Sequence, residues 1–239
     1  MQSGAASIST YRIYLDGDNR QERFVVKNGT ITPEQCELSF SYLDYKEGAQ
    51  LKKLSNEQEQ ALSKPALKHL RYSPKRFIIK PKSFQYIALS YRRQINDTPA
   101  EHRTYLNIKC LAIAEQGEPG ISLKPTIVHA VPLIIRTGKA SDLSATLVFD
   151  QLKQQQNNIS FRLTLQGERS VYGDIKVLNG NGDEVALLQR NVVIYPEMQY
   201  KDFNFTLPNL TSENMKIVFQ ETGDFSANKT FTLSLNGEL

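Results

Sequence analysis

The segment TIVHAVPLIIRTG, residues 126–138, crowds β-branched and apolar residues ahead of a Thr–Gly pair, the composition of a strand closed by a turn. It is apolar on both parities: Ile127, Val131, Leu133 and Ile135 on one, Val128, Ala130 and Ile134 on the other. A strand of that kind is normally covered on both faces inside a sheet. Pro132 argues for an edge instead, because proline has no N–H to give to a ladder. An apolar strand at an edge invites another chain to pair with it. Its presence there needs a reason.

Working outward, short alternating segments recur in both directions and helical periodicity is almost absent. YRIYL, RFVVKN, CELSFSYL, KRFIIKP, FQYIALSYR and RTYLNIKCLAI precede the segment. ATLVFD, ISFRLTLQG, DIKVLNGNGDEVALL, NVVIYP, KDFNFTL, MKIVFQET and KTFTLSL follow it. About seven strands on either side of a small, polar hinge is what two immunoglobulin-like sandwiches require. The expected architecture is therefore all-β: a first domain over residues 1–136, a hinge at 137–140 and a second domain over 141–239. VLNGNGDEVALL is a strong hairpin signal, since Gly180, Asn181 and Gly182 tolerate positive φ. The best helix candidate is residues 55–70, with Ser55 as its cap and Pro65 as an early stop.

Composition excludes several classes of function. The chain has 239 residues, a net charge of +4 and 40% hydrophobic residues, with its basic residues spread along it. Nucleic-acid binding normally concentrates them on one element, so no nucleic-acid partner is expected. No window reaches the length of an apolar membrane span, and no membrane insertion is expected. The N-terminus lacks the apolar core of a signal peptide and suits either a mature exported protein or a cytosolic one. His69, His102 and His129 are isolated in sequence, without metal-ligand spacing. No phosphate loop, nucleophile elbow or zinc-protease motif occurs, so no catalytic residue, metal or cofactor is assigned. Asp16, Asp18, Asp183 and Glu184 read as turn residues. Asn28, Asn96, Asn158, Asn204, Asn209 and Asn228 open Asn-x-Ser/Thr triplets, read as coincidental in an Asn-rich chain. Cys36 and Cys110 fall in the second and sixth strand regions and allow two readings: an immunoglobulin-type disulfide between strands B and F, or two buried thiols. Strands B and F run parallel in that fold, which would set the two cysteines at different heights.

YRIYLDG (11–17), YSPKRFIIKPKSFQYIALSY (72–91), EHRTYLNI (101–108) and VPLIIRTG (131–138) carry a resemblance. Their order and spacing resemble the periplasmic pilus-assembly chaperones of the chaperone–usher pathway. The second half agrees through FRLTLQGERSVYGDIKV (161–177), and the resemblance covers the chain from about residue 8. It implies two immunoglobulin-like domains in an L or boomerang, a periplasmic location with the signal peptide removed, and no catalysis. The activity it implies is strand lending: the chaperone completes a pilin that lacks its last strand and delivers it to an outer-membrane usher.

On that resemblance the segment at 126–138 is the donor strand. The odd positions Leu123, Ile127, Val131, Leu133 and Ile135, with Ile121 before them, are expected to face the pilin. Val128, Ala130 and Ile134 are expected to face the domain's own core. The family grips the pilin's terminal carboxylate with two basic residues. Arg12 matches the first, but Pro132 stands where the second, a lysine, is usual. The resemblance thus leaves Arg12, Arg76 and Arg103 as the carboxylate anchors and places Arg136 in an interdomain ion-pair network. A free donor edge would also let the unoccupied protein associate with itself. The other reading is a two-domain immunoglobulin-like adhesion or carbohydrate-binding module. That reading leaves the aliphatic edge strand unexplained, in a chain with no Trp.

Overall fold

The computed structural model describes residues 6–113, 126–138, 142–155, 157–207, 215–223, 227 and 229–235. Eighteen strands dominate it: β1 Ser7–Ile8, β2 Ile13–Leu15, β3 Gln21–Lys27, β4 Glu34–Ser41, β5 Asp44–Lys46, β6 Gln50–Lys52, β7 Leu70–Ser73, β8 Arg76–Ile79 and β9 Phe84–Tyr91, then β10 Ala100–Ala112, β11 Val128–Thr137, β12 Ala145–Gln155, β13 Asn158–Gly167, β14 Val171–Leu178, β15 Glu184–Ile194, β16 Tyr200–Thr206, β17 Met215–Glu221 and β18 Thr230–Leu235. A single α-helix among the described residues, α1 Asn56–Lys68, lies between β6 and β7.

Two compact units form. One comprises residues 1–43 and 54–140, the other 44–53 and 141–239. The sequence places residues 44–53 inside the first domain, whereas the β5–β6 hairpin they form clusters with the second unit. There Tyr45 lies against Tyr195, with ring centroids 5.7 Å apart.

The first unit is a sandwich of two sheets, ordered β1-β3-β9-β7 and β2-β11-β10-β4-β8. Alternation along each strand sends one parity inward, and Phe24, Val26, Leu38, Ile87, Leu89, Leu106, Ile108 and Leu133 meet in the core. The N-terminal strand divides between the sheets: β1 pairs with β3, and β2 crosses to run parallel to β11. The second unit carries sheets β12-β13-β16 and β15-β14-β17-β18, with Phe161, Ile175, Ile217 and Phe219 among its buried residues. Its β14–β15 turn is the expected hairpin: Gly182 has φ 91°. The Asn179 side chain accepts from the N–H groups of Asn181 and Asp183.

Three expectations change. Ser55 caps α1 through a reciprocal bond pair with Gln58. Pro65, however, lies inside the helix, which runs on to Lys68. A proline in the last turn removes one N–H near an end where Ser63 and Ala66 are already buried, so packing outweighs the break. Cys36 and Cys110 are directly opposite each other on β4 and β10 and form a disulfide with Cα atoms 4.1 Å apart. The two strands are antiparallel neighbours in one sheet, so the difference in height expected of a B–F bond does not arise. The third change concerns which face of β11 is buried, and it defines the site below.

Gly138 ends β11 at φ 72°, and a Cβ there would stand 2.9 Å from Pro99. Only glycine suits that turn. Lys139 and Ala140, the rest of the expected hinge, lie outside the described residues.

Candidate functional site

β11 pairs antiparallel with β10 along its whole length, from Lys109↔Val128 to Ala100↔Thr137. On its other side β2 covers only Leu133, Ile134 and Ile135. Among the described residues no strand takes the second edge of Val128–Pro132. Pro132 stands one position before the covered stretch begins, on the part of the strand where proline is best tolerated. The strand is therefore interior at its C-terminal end and an edge at its N-terminal end, which resolves the conflict in its sequence.

Burial fixes the two faces. Val131, Leu133 and Ile135 are 2%, 0% and 0% exposed and belong to the core of the first unit. They are the side chains the sequence reading assigned to a guest, and that parity is corrected. Buried aliphatic side chains contribute about 1.5–3 kcal/mol each to folding and are not free to leave. The outward parity is Val128, Ala130, Pro132 and Ile134. Val128 is 48% exposed, and Ile127, just ahead of the strand, is 50% exposed. Ile134 is fully buried although it faces outward, because its register neighbours are Tyr14 on β2 and Arg103 on β10. Leu123 and Ile121 lie outside the described residues.

The same outer face gathers most of the expected basic residues at one end. Arg12 lies 5.9 Å from the Tyr14 ring centroid and hydrogen-bonds its phenol. Burial pushes the Tyr14 phenol up, against the pull of Arg12 and Arg136. Arg136 pairs with Glu101 at 2.9 Å, both side chains 5% exposed, and lies 6.0 Å from the same Tyr14 ring. Arg103 donates to the Leu43 carbonyl at 2.8 Å and lies over Tyr42 at 4.9 Å and Tyr105 at 6.0 Å. Three guanidinium groups thus lie on one tyrosine-lined face, where Glu101 pairs with Arg136.

Arg76 is not brought to them. It sits on β8 with its side chain 74% exposed, bound through two nitrogens to Glu37. Glu37 is opposite Lys109, six positions along β10 from Arg103, or about 20 Å at the rise of a strand.

Sequence reasoning missed Tyr14, Tyr42, Glu101 and Tyr105. A signal was present: Tyr14 follows Arg12, and Tyr105 follows Arg103, at the two-residue spacing that puts both on one face of a strand. The histidines are isolated only in sequence. His69 and His102 stack at 5.2 Å and 10°, with the His69 Nδ1 3.5 Å from Asp97. Burial, then the neighbouring His69, hold the His102 imidazole below its usual value. Among the described residues no cluster of His, Cys, Asp and Glu could hold a metal ion, and no helix is long and apolar enough to cross a membrane.

No protein-family model matches the chain, and no curated protein matches it. Its fold does match solved structures. The CupB2 chaperone of Pseudomonas aeruginosa superposes with a TM-score of 0.52 at 12% identity, over 96% of this chain and 100% of that one. The class 5 fimbriae chaperone CfaA gives 0.52 at 14% identity, over 98% and 100%. A complex of CsuC with CsuE, a chaperone with a tip adhesion subunit from the archaic chaperone–usher Csu pili of Acinetobacter baumannii, gives 0.50 at 12% identity, over 98% and 99%. The chain has the two-domain, all-β fold of these proteins along nearly its full length.

Proposed function

We propose that the chain is a periplasmic chaperone that binds pilus or fimbrial subunits by lending them a β-strand and passes them to an outer-membrane usher. The observation that carries this reading is the N-terminal half of β11: an apolar strand whose second edge no strand among the described residues takes, with outward side chains that are not part of its domain's core. A subunit lacking its last strand exposes an apolar groove and unpaired backbone groups, both costly in water. An edge carrying Val128 and Ala130 outward, with Ile127 exposed beside them, satisfies both at once. Subunit binding also agrees with the solved complex of a chaperone of the same fold with a tip adhesion subunit.

Within this reading, Arg12 and Arg103 are the anchors for the subunit's terminal carboxylate, through charge-assisted bonds of the kind a guanidinium fork makes best. Arg76 is the weaker candidate on position. Arg136, held by Glu101, keeps the end of β11 in place, and an interdomain role for it belongs to the same proposal. The function is binding, with no catalytic step. The test is co-expression with a pilus subunit in a periplasm: the subunit should co-purify with the chain, and Val128→Asp with Ala130→Asp should abolish recovery while leaving the chain folded. Subunit recovered equally with the doubly charged variant would overturn the proposal.

A further inference from the structure

The outer face of the other sheet in the first unit, β1-β3-β9-β7, has no place in strand lending. Its register positions form four rows: Lys27 beside Phe84, Val25 beside Tyr86, Arg23 beside Ala88 and Ser73, and Gln21 beside Ser90 and Arg71. Phe84 and Tyr86 are 53% and 57% exposed and touch edge to face at 5.3 Å. The small residues Ala88, Ser90 and Ser73 floor a trough of about 310 Å³ with Arg23 on one flank and Arg71 on the other. Those flanks are two strands and one row apart, about 12 Å between backbones, a span two guanidinium side chains can close on one carboxylate placed between them.

No Asp or Glu occupies the outward positions of β3, β9 or β7, and among the described residues the side chains of Arg23, Arg71 and Lys27 have no hydrogen-bond or ion-pair partner. Glu22, the one carboxylate lining the trough, is on the inward parity of β3 and already holds an interaction of its own. A single-sign patch beside exposed aromatic rings is the anatomy of a protein contact. We infer that this face docks a polypeptide segment that sets an acidic side chain between Arg23 and Arg71 and apolar side chains on Phe84 and Tyr86. Charge complementarity selects that occupant. An anionic membrane gains only about 1 kcal/mol for each basic residue near its surface, too little from three cations to hold the protein there. A second copy of this chain brings a net charge of +4, the wrong sign.

Fluorescence anisotropy tests the contact, using a fluorescein-labelled hexapeptide that alternates glutamate with phenylalanine. The intact chain is expected to bind it saturably, more weakly as salt rises, with Arg23→Glu/Arg71→Glu losing at least about tenfold. Val128→Asp should leave peptide binding unchanged, which separates this face from the strand-lending edge. Absence of saturable binding, or equal binding by the Arg23→Glu/Arg71→Glu variant, overturns the inference. So does a preference, lost in that variant, for phosphatidylglycerol vesicles over the peptide, or for self-association in sedimentation.

Discussion

Pro132 stands opposite Tyr105 in the β10–β11 ladder, one residue before β11 gains its second neighbour at Leu133. That relationship divides one strand into two parts with different work. Beyond it the strand is locked between β10 and β2. Before it, no strand among the described residues takes its second edge.

Substitutions on the two faces of β11 should therefore separate stability from binding. Leu133→Ala removes a fully buried side chain and should cost about 2–5 kcal/mol in denaturant unfolding. Val128→Asp should change the unfolding midpoint little, because the side chain is half exposed, yet prevent recovery of a co-expressed subunit. The reverse pattern would restore the odd parity as the guest-facing one.

The arginines should not be equivalent. Arg12→Ala and Arg103→Ala are expected to weaken a subunit complex about 10- to 100-fold, the range of a lost charged hydrogen bond. Arg76→Ala should stay within about a fewfold, as its exposed pair with Glu37 is worth about 0–1 kcal/mol. Surface plasmon resonance on the purified complex distinguishes the three, with thermal unfolding as the control for Arg103, which also holds the Leu43 carbonyl.

The disulfide closes a chain separation of 74 residues. Replacing both cysteines by serine should lower stability by about 2–4 kcal/mol, mainly through greater freedom of the unfolded chain. Equal denaturant midpoints for the oxidised protein and the double serine variant would contradict this.

Two groups give opposite pH signatures. Burial raises the Glu34 carboxyl, and one of its oxygens has no hydrogen-bond partner. The native state then holds that proton more tightly than the unfolded chain, so the Glu34 contribution worsens as pH rises past the usual carboxylate range. Glu34→Gln should accordingly have a higher Tm than the parent at pH 7, with the gap closing toward about pH 4. For His102 the shift is downward. There the unfolded chain binds the proton more readily, so stability should fall as pH drops below about 6.5. His102→Gln should flatten that slope in a Tm–pH series.

Most of the strand framework was readable in the chain, and the reasons for the exceptions are physical. Alternation located strands such as β13 and β14 because they present one wet face and one dry face, as Phe161, Leu163 and Leu165 do along β13, whereas NVVIYP, read as a segment of its own, is the end of β15. The same rule could not orient β11: with both parities apolar, period two offers no preference, and the buried parity is set by the register with β10 and β2. The short strands β1, β5, β6 and β7 are two to four residues long and leave no pattern to detect. Proximity across the sheet was equally silent. His69 and His102 are 33 positions apart (102 − 69), and only the packing of the C-terminal end of α1 beside β10 brings them together. Nothing in the sequence joins Arg12 to Arg103, and their common face depends on β2 and β10 both flanking β11.

The placement of residues 44–53 has a consequence for anyone wishing to divide the protein. The second unit is written in two separate passages of the chain, with most of the first unit between them. A clone beginning at Ser141 would omit the β5–β6 hairpin and uncover Tyr195. One ending at Ala140 would carry that hairpin with nothing to receive it. On a ribosome the hairpin emerges long before its companions and must wait for them. Splitting this molecule into working halves would need a circular rearrangement or a graft, because a single cut cannot do it.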